Sequence, residues 1–246
     1  MPLDRAALKR RAKETIKTSR PSILSAALIV LVLSIIINTL SARLMGINIS
    51  QNEMQAYMNH FMNGNYDAAL SLVEKMKPSG KAQIIDLLLT VVNIVMQAGF
   101  VIFLLNSIRS TQPCFGNLLD GFGFFWKIIL LNLLIAIFII LWSLLLVFPG
   151  IIAAYRYSQA LYILVDDPSK SPLQCLRESK AMMRGHKMEL FRLNLSFLGW
   201  YLLASLPTIG YGVQAWTLPY TSTTYALYYE QLAYGSLGYE EPVYTY

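Results

Sequence analysis

The chain has 246 residues, of which 55% are apolar and only 14% charged, with a mean hydropathy of +0.47 and a net charge of +6. Soluble domains carry about 25% charged residues, so the composition excludes an ordinary soluble protein and favours an all-α, polytopic membrane helical bundle. The length allows about six transmembrane helices of about 20 residues. Because the basic residues are not interleaved with aromatic ones, no nucleic-acid partner is expected.

Residues 1–20 are predicted to form a basic cytoplasmic helix. The stretch from Leu3 to Ser19 lacks Gly and Pro, is rich in Ala, Lys and Arg, and begins after a candidate cap at Asp4. It carries a narrow apolar stripe of Leu8, Ala12 and Ile16. The helix is either a solvated extension or a helix held on anionic lipid, where each basic residue near the surface contributes about 1 kcal/mol.

Apolar runs predict transmembrane segments at residues 21–40, 84–105, 128–148, 149–165, 191–206 and 212–232. The fourth is short, reaching about 22 Å at 1.5 Å per residue, so whether it crosses fully is open. We expect the whole chain, 1–246, to be a single integral membrane domain, with residues 233–246 as a cytoplasmic tail.

Residues 43–81 carry two amphipathic patterns and are predicted to form a small extracytoplasmic helical hairpin. Met54, Tyr57, Met58 and Phe61 recur at spacings of three and four. A Met-rich stripe beside His60 is more typical of a packing surface than of a metal site. No metal and no cofactor is expected.

Residues 171–185 predict a short amphipathic helix in the membrane interface. Ser171 is a candidate cap, Pro172 suits the first helical position, and Gly185 suits the residue just past the end. One face is apolar and the other basic, as in interfacial helices.

The positive-inside rule orients these segments. With the N-terminus inside, fifteen of the twenty basic residues fall on inner segments, four fall on outer ones, and Arg156 lies within the membrane. Both termini are therefore predicted to be cytoplasmic. Cys114 and Cys175 then lie on the reducing side, and no disulfide is expected.

Arg156 is the first candidate functional residue. An arginine within a span costs at least about 2.5 kcal/mol, so it needs a partner or a water-filled cavity. Gln159 shares its face, and Glu230 is a candidate intramembrane ion-pair partner. Arg156 is either a polar lock between helices or part of a ligand or ion path, which would also involve polar residues Asn93, Gln97 and Asn132.

The segment from Arg184 to Lys187 offers backbone amides and the side chains of Arg184, His186 and Lys187 at headgroup level, so a lipid phosphate is a candidate ligand. An ordinary inner anchor explains the segment equally well. The pair Asp166 and Asp167 before Pro168 is typical of a turn at the membrane border. No common catalytic motif is present, and no catalytic residue is predicted.

The order of inner helix, basic residue, span, outer turn and returning span occurs three times, beginning near Leu3, Gln112 and Ser171. Such copies would be parallel repeats related by an axis along the membrane normal. The alternative is that any inner loop entering a membrane acquires these features.

The run from Phe148 to Trp200 resembles the bacterial family of multi-pass membrane proteins catalogued as domain of unknown function 975. The resemblance rests on the turn at Asp166, the segment from Ser179 to Lys187, and Leu218-Pro219-Tyr220; the basic start LDRAALKRRAKE is similar too. It implies a multi-pass protein of the bacterial plasma membrane and supplies no activity.

The sequence thus favours a non-enzymatic protein that binds membrane lipids, chiefly anionic headgroups at the cytoplasmic face, or membrane protein partners, in envelope upkeep or export. The alternative is a transporter or channel component with a polar path around Arg156. An intramembrane enzyme is the least favoured class.

Overall fold

The computed structural model describes residues 4–45, 51–75, 79–206 and 210–235. Within these ranges the protein is helical and contains no β-strand, which confirms the predicted all-α class. The helices are α1 (Arg5–Thr18), α2 (Ile23–Leu44), α3 (Gln51–Met62), α4 (Tyr66–Lys75), α5 (Gly80–Arg109), α6 (Asn117–Asp120), α7 (Phe125–Leu145), α8 (Val147–Tyr157), α9 (Ala160–Asp166), α10 (Pro172–Met182), α11 (Lys187–Leu195), α12 (Leu198–Ala204) and α13 (Gly210–Tyr234), with a 3₁₀ turn over Gly121–Phe124. Most of the predicted tail, 236–246, lies outside the described residues.

Three stretches in the described part of the chain are long and apolar enough to cross a membrane: Ile23–Leu44, Gly80–Arg109 and Asn117–Leu144. They contain the second predicted span, 84–105, and overlap most of the first, 21–40, and of the third, 128–148. Helix α13 is 25 residues long and continuous through Pro219, but it is not among the three because it is rich in polar residues. The count of six stays a prediction.

Two predicted spans are each divided into two short helices. The span at 149–165 is interrupted between α8 and α9, and the span at 191–206 is interrupted between α11 and α12. A side chain from elsewhere bonds to backbone groups at each break. Ser179 accepts from Gln159 N and donates to Arg156 O at the first, and Lys9 donates to Ser196 O at the second.

The predicted helix caps are present. Asp4 accepts hydrogen bonds from the backbone amides of Ala6 and Ala7 at the start of α1. Ser171 accepts from Gln174 N at the start of α10. These bonds satisfy amides that a helix leaves unpaired at its first turn.

The sequence predicts one domain, and the structure divides the chain into two compact units. The first unit comprises Met1–Leu31 and Ile94–Tyr246. Here α13 packs against α1 and α12, while α10 packs against α7, α8 and α9. Close packing extends to Gly99 of α5, where an added Cβ would lie 2.0 Å from the carbonyl oxygen of Leu118.

The second unit, Val32–Asn93, contains the later part of α2, the α3–α4 hairpin and the start of α5. Ser41 of α2 donates a hydrogen bond to the Asp86 carboxylate of α5. A tight turn at Gly64, whose φ of +72° favours glycine, joins α3 to α4. A helical hairpin is therefore present within the predicted range 43–81, formed by α3 and α4, while the ends of that range belong to α2 and α5.

Candidate functional site

A partly buried cluster of charged side chains joins three helix ends in the first unit. Arg109, the last residue of α5, donates from Nη1 to Asp166 Oδ1 at 2.5 Å and from Nε to Glu230 Oε1 at 2.7 Å. The side chains of Asp166 and Glu230 are only 14% and 7% exposed. One guanidinium thus holds two carboxylates from α9 and α13 in a fork geometry that arginine suits.

Two tyrosines of α13 complete this helix-end cluster. The hydroxyl groups of Tyr229 and Tyr234 both donate to Asp166 Oδ2, the former at 2.9 Å. Burial favours the neutral form of the Asp166 carboxyl, but hydrogen bonds from Arg109, Tyr234 and Tyr229 outweigh it and hold its pKa below the usual 3.8. Asp166 is therefore a charged anchor.

The cluster brings together the C-terminal ends of α5, α9 and α13, which correspond to the ends of the second, fourth and sixth predicted spans. In the predicted topology every even-numbered span ends on the same side. Lys127, at the start of α7, donates to Pro168 O at 2.6 Å and Ser169 O at 3.3 Å. The start of the third predicted span therefore lies at this same face.

The prediction that Arg156 pairs with Glu230 is wrong. Glu230 does bind an arginine, but the arginine is Arg109. Arg156 is half-buried, and its guanidinium carbon lies 5.8 Å from the centre of the Trp142 ring on α7, in a cation–π arrangement. The sequence could not separate these options, because both arginines precede Glu230 by many residues and only packing brings one of them close.

Gln159 lies at the break between α8 and α9 and is 3% exposed. Its side-chain amide donates to Ser158 Oγ at 3.0 Å, while Oε1 has no hydrogen-bond partner. Asn132, another residue of the suggested polar path, donates to Ile128 O of its own helix. The contacts of these two amides are therefore local.

Helix α1 is docked on protein. Its stripe of Leu8, Ala12 and Ile16 is 0%, 0% and 3% exposed, and the helix packs along α13. Lys9 contributes a cation–π contact, with Nζ 4.1 Å from the centre of the Phe197 ring. Burial lowers the pKa of Lys9, and the neighbouring charges of Arg5 and Lys13 lower it further. Neither sequence interpretation, solvated extension or lipid-held stripe, anticipated this docking.

Four other basic side chains of α1 are exposed, although Lys13 also contacts α13, with its Nζ 5.4 Å from the centre of the Tyr220 ring. Arg5, Arg10, Lys13 and Lys17 are all exposed. Arg10, Lys13 and Lys17 follow one another at spacings of three and four, so they share one side of the helix. This row, the α1 basic row, is separate from the buried stripe.

The loop between α10 and α11 carries the other predicted lipid contact. Gly185 has φ +83°, as expected for the residue just past a helix end. Arg184 is exposed and Lys187 is half-buried. His186 Nδ1 lies 2.8 Å from Glu189 Oε2, and the His186 carbonyl accepts from Tyr228. The loop is thus pinned to α13, and its histidine faces a carboxylate.

The predicted interfacial helix at 171–185 is more deeply buried against other helices than its amphipathic pattern indicates. Cys175 and Met183 are fully buried, and Leu176 is 4% exposed, while Leu173 is exposed. Its apolar face mainly contacts the neighbouring helices α7, α8 and α9. Arg177 and Lys180 face outward.

A chain of hydrogen bonds across four helices was missed by sequence reasoning. Asn194 of α11 donates to the Tyr155 hydroxyl of α8 at 3.0 Å and accepts from Tyr225 of α13 at 2.5 Å. The Tyr225 and Tyr201 hydroxyl groups lie 3.1 Å apart. The pairing of Asn194 has no signal in the sequence pattern.

Residues 144–235 match the model of a family described as "Protein of unknown function (DUF975)". This range contains the turn at Asp166, the segment from Ser179 to Lys187, and Leu218-Pro219-Tyr220; the basic start lies before it. No curated protein and no solved structure matches the chain.

Proposed function

We propose that this member of the DUF975 family is a non-enzymatic protein of the bacterial plasma membrane that binds anionic lipid headgroups at its cytoplasmic face through the α1 basic row. In this proposal both termini are cytoplasmic, and the protein serves envelope upkeep or export by holding lipid, or a lipid-associated membrane partner, at that face. The observation that carries it is the docking of α1 by its apolar stripe, which leaves Arg10, Lys13 and Lys17 exposed.

Docking matters because it makes the basic row rigid. A free basic helix would lose backbone entropy when it bound lipid, whereas α1 is already ordered along α13. The Asp4 cap stabilises the first turn of α1. The cation–π contact of Lys9 with the Phe197 ring fixes the helix to the rest of the unit. Lipid therefore meets a preformed row of charges.

The expected strength follows from charge number. Each basic residue near an anionic membrane surface contributes about 1 kcal/mol, so the three residues of the row together give roughly 3 kcal/mol, or about a 100-fold preference at low salt. Because the Debye length is about 8 Å at physiological ionic strength, the preference should weaken as salt rises.

The test is lipid selection by the purified full chain. The protein is reconstituted in vesicles of zwitterionic and anionic phospholipid, gently extracted, and the retained lipids are counted by native mass spectrometry. The variant Arg10→Gln/Lys13→Gln/Lys17→Gln should retain several-fold fewer anionic lipids than wild type.

The control is Arg43→Gln/Lys81→Gln, which removes two basic charges, against three in the variant, from the opposite predicted face. It should leave anionic lipid retention at the wild-type level. Equal retention by the triple variant and wild type, with the same helical content by circular dichroism, contradicts the proposal.

A further inference from the structure

The α3–α4 hairpin of the second unit has an exposed apolar surface. The lipid binding proposed for α1 does not involve this surface. On α3, Met54, Met58, Phe61 and Met62 are all exposed, and on α4 Tyr66 and Leu70 are exposed. Met62 is 77% and Leu70 65% exposed. These six residues are named the hairpin stripe.

The stripe is continuous across the two helices. On α3, Met58 lies four residues after Met54, three before Phe61 and four before Met62, and on α4 Leu70 lies four residues after Tyr66, so each set shares one side of its helix. The rings of Phe61 and Tyr66 meet edge to face at 5.7 Å where the helices join. Although Phe61 and Tyr66 touch each other, all six stripe side chains stay exposed in the packed hairpin, whereas Ala69 of α4 is 3% exposed. The stripe therefore remains available after the hairpin has formed.

The chain tethers this surface close to a membrane at both ends. Helix α2 ends at Leu44 and α3 begins at Gln51, while α4 ends at Lys75 and α5 begins at Gly80. Fully extended, these connections reach roughly 25 Å and 18 Å. Both neighbours are apolar helices long enough to cross a bilayer, and the bond between Ser41 and Asp86 holds them together near the hairpin.

Charge separates this surface from the α1 basic row. The sequence of α3 and α4 contains Glu53, Asp67 and Glu74 against a single Lys75. Because the hairpin carries more acidic than basic residues, attraction to anionic headgroups cannot hold it at a membrane. Burial of its apolar side chains has to supply the binding energy. Aromatic side chains such as Phe61 and Tyr66 are also those that favour the boundary between headgroups and acyl chains.

We propose that the α3–α4 hairpin lies flat in the extracytoplasmic interface of the membrane, with the hairpin stripe inserted among the lipid acyl chains. The occupant of the stripe is thus the outer leaflet itself. The hairpin anchors and covers the outer ends of α2 and α5 as a monotopic element does. This inference is independent of lipid binding by α1.

Nitroxide accessibility tests the insertion directly. Single labels are placed in a Cys114→Ser background, whose remaining Cys175 is fully buried. The stripe positions are Met54→Cys, Met58→Cys and Leu70→Cys. Each has a control on another side of its helix: Asn52→Cys, Asn59→Cys and Ser71→Cys, all at exposed residues.

The full-length protein is measured in vesicles of phosphatidylethanolamine and phosphatidylglycerol. The ratio of accessibility to oxygen, which concentrates in acyl chains, over a water-soluble nickel chelate should be several-fold higher at stripe positions than at their controls. The difference should persist in 1 M salt, whereas anionic lipid retention by α1 should fall.

Three results would overturn the proposal. Equal or higher nickel accessibility at the stripe would show that it faces water. Low accessibility to both reagents with dipolar broadening between labels would show that a second copy covers it. Low accessibility to both without broadening would show that another part of the chain covers it.

Discussion

Replacing Arg109 by methionine is the sharpest test of the helix-end cluster. The change removes the one guanidinium that contacts both Asp166 and Glu230, whose side chains are 14% and 7% exposed. Breaking a buried pair by removing one partner costs about 3–5 kcal/mol, because the other charge stays buried and unpaired. The Arg109 side chain itself is 30% exposed, so we take the lower end, about 3 kcal/mol.

The corresponding thermal shift is measurable. For chains of about this size, 1 kcal/mol corresponds to roughly 2–4 °C in Tm, so Arg109→Met should lower Tm by roughly 6–12 °C. Unfolding is followed by tryptophan fluorescence in one detergent at one scan rate, since membrane proteins often unfold irreversibly. The control is Arg177→Met, which removes an exposed arginine of α10 and should shift Tm by no more than about 2 °C.

A rescue experiment separates charge from packing. If unpaired carboxylates cause the loss, adding Asp166→Asn and Glu230→Gln to Arg109→Met should recover at least half of it, because neutral amides carry a smaller desolvation penalty. The reasoning is refuted if Arg109→Met is as stable as Arg177→Met, or if the added changes lower Tm further.

Three further predictions concern other contacts. Gly99→Ala should destabilise the protein by about 1–3 kcal/mol, because the added Cβ would lie 2.0 Å from Leu118 O. The control Gly123→Ala, whose Cβ would have nothing within 4 Å, should change Tm little. Equal Tm values for the two variants would contradict the close approach at Gly99. Ser179→Ala should cost about 1–3 kcal/mol by leaving buried backbone groups at the α8–α9 break unpaired, again measured by thermal unfolding, and an unchanged Tm would show that the break needs no side chain. The folded-state pKa of Asp166 lies below 3.8, so the stability that the ionised carboxylate contributes is fully present above that pH and is lost as pH falls through the lower folded value. The difference in Tm between wild type and Asp166→Asn should therefore narrow on acidification. A difference that widens would refute this direction of the pH dependence.

The sequence by itself determined the features that depend on neighbouring residues. Hydropathy and length are summed along one segment, so α2, α5 and α7 were recognisable as long apolar helices. Caps act over two or three residues, and both Asp4 and Ser171 occupy the predicted positions. The stripe of α1 was equally clear, because helical periodicity specifies which residues share a side.

Tertiary structure decided what each of those surfaces touches. The stripe of α1 lies on α13, where periodicity alone allowed water or lipid, and Glu230 binds Arg109, where composition suggested Arg156. The break at Gln159 depends on Ser179, twenty residues away, which supplies the hydrogen bonds that the interrupted helix lacks. Which partner a surface binds depends on the relative energies of contacts between segments that are distant in the chain. The pattern of residues along one segment carries no information about the other segment.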